Sequence, residues 1–173
     1  MSYPFDKPIN EPVKDYSPGS IEKESLKQKL SELKSQQIEV PLIIDGNEIK
    51  TSNTSTIDMP HNHEIQLGKF YMASRDDIDL AIESNLKAWH SWSKVSLMDR
   101  CSIFNKAADL LSTTWRDTIN AATMLNMSKN VYQAEIDAAC EMIDFFRFNC
   151  WYAFELNKQQ PMYSTEFVKN SLE

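Results

Sequence analysis

Glycine is scarce in this sequence. Among 173 residues only Gly19, Gly46 and Gly68 are glycines, whereas average usage of about 7% would give roughly 12. Phosphate-binding loops need closely spaced glycines because their backbone must approach a phosphate group. Neither the GxGxxG nor the GxxxxGK[ST] spacing occurs. The sequence therefore excludes a dinucleotide-binding loop and a phosphate-binding loop of these two types.

Basic clusters, long apolar runs and paired cysteines are also missing. The formal net charge is −7, from 25 acidic and 18 basic residues, and no Lys/Arg cluster supplies the basic face of a nucleic-acid-binding protein. No uncharged apolar stretch reaches the length of a transmembrane helix. Neither a nucleic acid nor a membrane is expected as a partner. Three cysteines are an odd number and form no disulfide framework, which favours a reducing compartment.

The N-terminal residues differ in composition from the rest. Residues 1–19 hold four of the seven prolines, which predicts an extended arm that wraps over another part of the protein. The start has no apolar signal core, lacks arginine and contains Asp6, so it does not resemble a mitochondrial transit peptide. A turn at 17–20 with Ser20 as a candidate cap predicts a helix over 21–36. Its apolar stripe consists of Ile21, Leu26, Leu30 and Leu33.

The middle of the chain changes from strand signals to helix signals. Asp45-Gly46 between two short apolar runs predicts a β-hairpin, and 66–72 is a candidate strand. From residue 75 the apolar spacing predicts four helices. They cover about 75–92, a segment that starts after Ser96 and carries apolar residues as far as Leu111, about 115–126 and about 131–156. Ser74 and Asp77 form a candidate N-cap for the first of them. A short strand is expected over 163–168.

The last predicted helix combines apolar residues over most of its circumference with five acidic residues. Three of these, Asp137, Glu141 and Asp144, fall at i, i+4 and i+7 and would share one face. One interpretation is an acidic stripe that meets a cationic ligand group. The other is a solvated face with an Asp144–Arg147 pair.

No complete active site is recognisable. His61 and His63 do not have a zinc-ligand spacing, and His90 reads as a histidine packed beside Trp89 and Trp92. Each cysteine lies among apolar residues of a predicted helix, where cysteine usually behaves as a small buried hydrophobe. We therefore predict neither a metal ligand nor a catalytic residue in these 173 residues.

Several segments resemble one family. The segment QAEIDAACEMIDFFRFN at 133–149 looks like a signature of the Δ1-pyrroline-5-carboxylate dehydrogenases, the proline-degrading branch of the aldehyde dehydrogenase superfamily. Further matches, in family order, are NEPV at 10–13, SPGS at 17–20, AADLLS at 107–112 and QQP at 159–161. They cover about the first third of such an enzyme.

The resemblance implies an α/β fold of which this chain is a fragment. It is the mainly α-helical N-terminal layer of the aldehyde dehydrogenase fold with a β-hairpin, and the Rossmann core is absent. Residues 20–173 would be this partial domain, behind the arm of 1–19. The family oxidises glutamate γ-semialdehyde with NAD, but its catalytic cysteine, general base and NAD-binding residues have no counterpart here. One residue carries over: Glu141 matches a glutamate that lines the substrate channel.

The sequence also departs from the family at one turn. Family members have a Gly-Gln-Gly-Lys run before the long helix, whereas residues 125–129 here read LNMSK. A turn that needs positive φ would be strained without glycine.

The resulting function hypothesis is a truncated dehydrogenase homologue that is inactive as this chain. Alternatives are a non-catalytic partner of a full-length dehydrogenase subunit, a pseudogene product, and an unrelated helical binding module. The family location is the mitochondrial matrix, and the cytoplasm is the alternative because no transit peptide is visible.

Overall fold

The computed structural model describes residues 6–163 and 165–171. After the arm come α1 (Ile21–Ser35) and the strands β1 (Ile38–Val40), β2 (Leu42–Ile44), β3 (Asn47–Ile49), β4 (Thr54–Met59) and β5 (Asn62–Tyr71). The helices α2 (Arg75–Trp92), α3 (Leu97–Ser112), α4 (Arg116–Met127) and α5 (Val131–Ala134) follow. A π-helical segment (Glu135–Cys140) then continues into α6 (Glu141–Asn157). The predicted mixture of a helical layer with a hairpin is confirmed.

Local capping chemistry fixes most helix starts. The Ser20 side chain accepts a hydrogen bond from the Lys23 backbone N–H at the start of α1. Ser74 and Asp77 form a reciprocal capping box on α2, as predicted. Within α1, Leu26 is buried and two of the other stripe residues pack against the core, but Ile21 is 87% exposed. Ile21 is the first residue of α1.

The five strands form two small sheets. One is the predicted hairpin, β2 antiparallel to β3, in which both turn residues, Asp45 (φ 52°) and Gly46 (φ 75°), have positive φ. The other has the order β1-β5-β4, with β1 parallel and β4 antiparallel to β5. Gly68 on β5 lies opposite Ile38 on β1, and a Cβ at Gly68 would lie 2.1 Å from the Ile38 carbonyl oxygen. Only glycine allows this approach.

Three small apolar clusters form the core. They are Tyr16, Leu26 and Ala121; Met59, Leu67 and Leu125; and Ala108, Ala139 and Ile143. The first joins the arm to α1 and α4, the second joins β4 and β5 to α4, and the third joins α3 to the π-segment and α6. The arm is therefore part of the folded body.

The helix α2 lies outside these clusters and has no buried residue. Its predicted apolar face exists, but Ile78, Ile82, Leu86 and Trp89 are 49–61% exposed among the described residues.

The strand predicted over 163–168 is wrong for the residues that the structure describes there, and residue 164 lies outside them. The chain bends at Glu166 and Phe167, where the Thr165 hydroxyl accepts hydrogen bonds from the backbone N–H groups of Phe167 at 3.3 Å and of Val168 at 3.0 Å. A strand needs a neighbouring strand for its backbone groups, and none of the described strands lies beside this segment.

The turn at 125–129 does need a positive φ. Ser128 follows α4 as its C-cap in the left-handed region, at φ 56° and ψ 24°. Helices often end on such a residue, and it is usually glycine because a Cβ is disfavoured there.

Candidate functional site

The arm is held by a buried ionic cluster around Arg116, the first residue of α4. Arg116 is 2% exposed and forms ion pairs with Glu135 and with Glu11 of the arm, the latter at 2.5 Å. Its Nη2 also donates to the Pro12 carbonyl at 2.8 Å. One guanidinium therefore ties the arm to the start of the long helix.

Glu135 is the acidic centre of this cluster and is fully buried. Besides Arg116, its carboxylate accepts hydrogen bonds from the Lys14 backbone N–H at 2.8 Å, the Tyr16 hydroxyl at 2.7 Å and Asn120 Nδ2 at 2.7 Å. A buried carboxylate is tolerated only when its oxygens are satisfied in this way. Two of these donors lie in the arm, so the arm completes the site that makes burial of Glu135 possible.

The electrostatics of the cluster favour its charged form. Burial alone would raise the pKa of Glu135, but the bonds from Arg116 and the other donors outweigh burial and hold that pKa below its ordinary value. Burial and the bond to Glu135 raise the pKa of Tyr16, which keeps its hydroxyl as a donor. Burial, followed by the charge of Glu135, raises the pKa of Cys140 to about 11.

A second set of contacts joins the arm to α6. Arg147 pairs with Glu11 at 2.7 Å and with Asp109 at 3.4 Å. Asp144 accepts from Asn10 Nδ2 at 2.7 Å and from the Glu11 backbone N–H at 2.8 Å. The Asp144–Arg147 pair considered from the sequence is therefore wrong, because both side chains bind to other partners.

Asp144 lines a cavity of about 340 Å³. Glu141, the candidate site residue of the sequence analysis, lines the same cavity. Its lining combines two carboxylates, two amides and three aromatic rings, from Asn10, Glu141, Asp144, Phe145, Phe148, Asn149 and Tyr152. Glu141 is exposed here, and no described side chain or backbone N–H donates a hydrogen bond to its carboxylate. This carboxylate is free to meet a ligand group.

The acidic stripe is only partly formed. Glu141 and Asp144 line the same cavity, but Asp137 pairs instead with Lys129 at 2.6 Å. A π-helix turns less per residue than an α-helix. The π-segment before Glu141 therefore rotates Asp137 away from the face expected for a regular helix.

The other candidate residues lie apart from this site. The described part of the chain contains no group of three or more His, Cys, Asp or Glu placed to hold a metal ion. His61 Nδ1 lies 2.9 Å from the Ser128 hydroxyl, and His90 packs edge-on against Trp89. All three cysteines are free thiols and buried, as predicted.

The glycines and helix starts that could hold a dinucleotide have other local roles among the described residues. Gly68 faces the backbone of Ile38, and Gly46 occupies the hairpin turn. The starts of α2, α3 and α5 are capped by Ser74, Ser96 and Asn130. Gly19 precedes α1, and this helix start is capped as well, by the Ser20 side chain that accepts from the Lys23 N–H. The absence of a cofactor site stays a prediction for the chain as a whole.

The fold and its comparison with known proteins define the class. A family model described as "Aldehyde dehydrogenase family" matches residues 49–171. The chain belongs to this family. No helix in the described part of the chain is long and apolar enough to cross a membrane.

The similarity is to one branch of that family. The chain is 46% identical over 153 residues to Δ1-pyrroline-5-carboxylate dehydrogenase of Agaricus bisporus, covering 88% of this chain and 28% of the relative. It is 43% identical over 156 residues to the human mitochondrial enzyme of that name, covering 90% and 28%. The solved Mycobacterium tuberculosis enzyme, bound with NAD, superposes with a TM-score of 0.91 at 39% identity, covering 95% and 31%. The chain therefore spans about 30% of the length of these relatives.

Sequence reasoning proposed Glu141 as a site residue, which stays a prediction, and it missed the ionic cluster. The available signal was a charged residue at an apolar position: Glu135 stands beside Ala134, Ala138 and Ala139, which are all buried. Its partners Arg116 and Glu11 come from distant segments, and no local pattern joins them.

Proposed function

We propose that these residues form the N-terminal, substrate-side part of a Δ1-pyrroline-5-carboxylate dehydrogenase and that Glu141 binds the substrate ammonium group. The observation that carries the proposal is the 340 Å³ cavity, where the Glu141 carboxylate stands beside three aromatic rings. Carboxylates attract an ammonium ion by charge-assisted hydrogen bonds, and aromatic faces add cation–π attraction. Glutamate γ-semialdehyde, the family substrate, carries such an ammonium group. The similarity to relatives with this activity supports the same assignment.

Binding of a substrate analogue tests the role of Glu141. L-glutamate carries the ammonium group and glutarate lacks it, so titration of each into the labelled chain isolates its contribution. We expect L-glutamate to shift the backbone NMR signals of α6 near Glu141, and glutarate to leave them unchanged. Glu141→Gln removes one charge-assisted bond and should raise the Kd for L-glutamate at least roughly tenfold.

Glu155→Gln is the matched control because Glu155 lies on α6 outside the cavity and pairs with Lys158. It should leave the L-glutamate titration unchanged. An equal response to glutarate, or an unchanged Kd in the Glu141 variant, would refute the role of Glu141.

We further propose that the 173-residue chain alone does not oxidise the substrate. An aldehyde dehydrogenase needs a cysteine thiolate as nucleophile. All three cysteines here are buried, and burial raises the pKa values of Cys140 and Cys150 to about 11 and about 12. Purified chain with NAD and pyrroline-5-carboxylate should give no NADH above a protein-free blank. Measurable turnover would disprove this.

A second candidate function is non-catalytic association with a dehydrogenase subunit. The exposed apolar stripe of α2, defined by Ile78, Ile82, Leu86 and Trp89, favours it because such stripes mark contact surfaces. Tagged chain should co-purify with a full-length subunit. Leu86→Glu should abolish co-purification, and Ser91→Glu on the opposite face should not. Recovery of no subunit would remove this candidate.

We infer the cellular compartment from the relatives in the family. The human, Emericella nidulans and Dictyostelium discoideum relatives are named as mitochondrial. We place the chain in the mitochondrial matrix, with the cytoplasm as the alternative. Cell fractionation with an antibody against the chain separates the two.

A further inference from the structure

Two of the three buried cysteines lie together between α3 and α6. Cys101 in the second turn of α3 and Cys150 on α6 are 4% and 5% exposed. The Cys150 sulfur lies 3.5 Å from the Cys101 carbonyl oxygen. Both line one cavity of about 450 Å³. Neither belongs to the arm cluster or to the Glu141 cavity.

The helix packing aligns the two cysteines. Ala108 of α3 packs with Ile143 of α6 in one core cluster. Seven residues, or two turns, separate Cys101 from Ala108, and seven separate Ile143 from Cys150. In an antiparallel pair of helices both pairs therefore lie on the same line of contact.

The separation on that line suits a disulfide. Packed helix axes lie about 8–10 Å apart and Cα atoms lie about 2.3 Å from each axis. Facing residues therefore have Cα atoms about 3.5–5.5 Å apart, which overlaps the range of about 4.4–6.8 Å that a disulfide needs. Cys140 is ten residues from Cys150 along one helix, about 15 Å away, and cannot compete.

We propose that Cys101 and Cys150 are a redox-modification site, a dithiol that hydrogen peroxide converts into a disulfide cross-link between α3 and α6. The thiolate of one cysteine attacks a peroxide oxygen, the O–O bond breaks, and a sulfenic acid and hydroxide form. The sulfur of the second cysteine then displaces hydroxide from the sulfenic sulfur. The two lost thiol protons and the two hydroxides make two water molecules. The sulfurs lose two electrons and the peroxide gains them.

The environment sets the rate of this reaction. Burial, followed by the neighbouring Cys101, raises the pKa of Cys150 to about 12, so its thiolate is scarce at neutral pH. Arg100 and Cys101 are the titratable side chains that line the cavity with it. The cross-link should therefore form slowly near pH 7 and faster near pH 9.

Peptide mapping after peroxide treatment tests the proposal. Trypsin places the three cysteines on separate peptides, 101–106, 130–147 and 148–158. After oxidation and alkylation without reduction, peptides 101–106 and 148–158 should appear joined, with a mass about 2 Da below their sum. Peptide 130–147 should carry the alkyl group. The oxidised chain should melt roughly 10 °C higher, because a 50-residue loop is closed.

Variants supply the controls. Cys101→Ser and Cys150→Ser should each abolish the joined peptide, and Cys140→Ser should retain it. If a variant does not fold, the wild-type map decides alone. A bridge that includes Cys140, a bridge between two chains, or oxidation to sulfinic acid without any bridge at pH 9 would overturn the proposal.

Discussion

Replacement of Glu135 by glutamine tests whether the buried ionic cluster holds the arm. The substitution keeps the shape of the side chain but removes its charge and turns one acceptor oxygen into an NH₂ donor. In the wild type the two oxygens accept from Arg116 and from three further donors, the Lys14 N–H, the Tyr16 hydroxyl and Asn120 Nδ2. The variant leaves at least one of these donors facing another donor.

Two estimates give the expected loss of unfolding free energy in Glu135→Gln. Removal of one partner from a buried ion pair costs about 3–5 kcal/mol. One or two buried donors without an acceptor cost about 1–3 kcal/mol each, which gives a total of about 1–6 kcal/mol and includes the first range. Arg116 keeps Glu11 as a partner, so we expect the lower end, about 3 kcal/mol. This is a large share of the 5–15 kcal/mol by which domains are stable.

Urea unfolding followed by tryptophan fluorescence measures the loss of unfolding free energy. Glu155→Gln, which removes a partly exposed pair, should cost less than about 0.5 kcal/mol. The double variant Arg116→Met/Glu135→Gln should cost less than the sum of the single variants, because no unpaired charge stays buried. A loss below 1 kcal/mol for Glu135→Gln, or strict additivity, would refute the reasoning.

The pH dependence gives an independent check with a definite sign. The folded pKa of Glu135 lies below its unfolded value of about 4.3. Its contribution is therefore complete above that unfolded value and is lost as the pH falls through the folded pKa. The stability difference between wild type and Glu135→Gln should narrow below about pH 4. A difference that is constant down to pH 2 would contradict the charged state assigned here.

Two further predictions concern the backbone, and one concerns the arm. Ser128→Gly should stabilise the chain by about 1 kcal/mol. Glycine removes the backbone strain of the left-handed turn, and the loss of the Ser128 hydroxyl contact with His61 offsets part of that gain. An unchanged urea midpoint would contradict this. Gly68→Ala should cost about 3 kcal/mol, because its Cβ would overlap the Ile38 carbonyl and separate β1 from β5; native-like β1 amide exchange in this variant would disprove it. Glu135→Gln should also speed trypsin cleavage after Lys14, whereas Glu155→Gln should not; equal cleavage rates would show that the cluster does not hold the arm.

The sequence was most informative where one local interaction decides the structure. The Asp45-Gly46 turn and the Ser74–Asp77 capping box depend on neighbours within a few residues, and both were predicted correctly. The strand expected at 163–168 depends on a distant pairing partner, and that prediction failed. The cluster of Glu11, Arg116 and Glu135 is non-local in the same sense, so no periodicity reveals it. Glu141 was proposed from the acidic spacing on the last helix and from a family motif, and its role as a site residue stays a prediction.

The arm and the Glu141 cavity are structurally coupled through the π-segment. Glu135 begins this segment and faces the arm cluster, whereas Glu141 follows it and faces the cavity. An uninterrupted α-helix would give Glu135 and Glu141 a different orientation relative to each other. The π-segment turns less per residue, and this smaller rotation lets Glu135 contact the arm while Glu141 lines the cavity. Glu11 then pairs with both Arg116 and Arg147, and its backbone N–H binds Asp144 in the cavity wall. Release of the arm would therefore remove Asn10 from the cavity and free Asp144, which places a second mobile carboxylate beside Glu141. The position of the arm thus determines whether the Asp144 carboxylate is engaged by Asn10 and the Glu11 N–H or is available in the cavity beside Glu141.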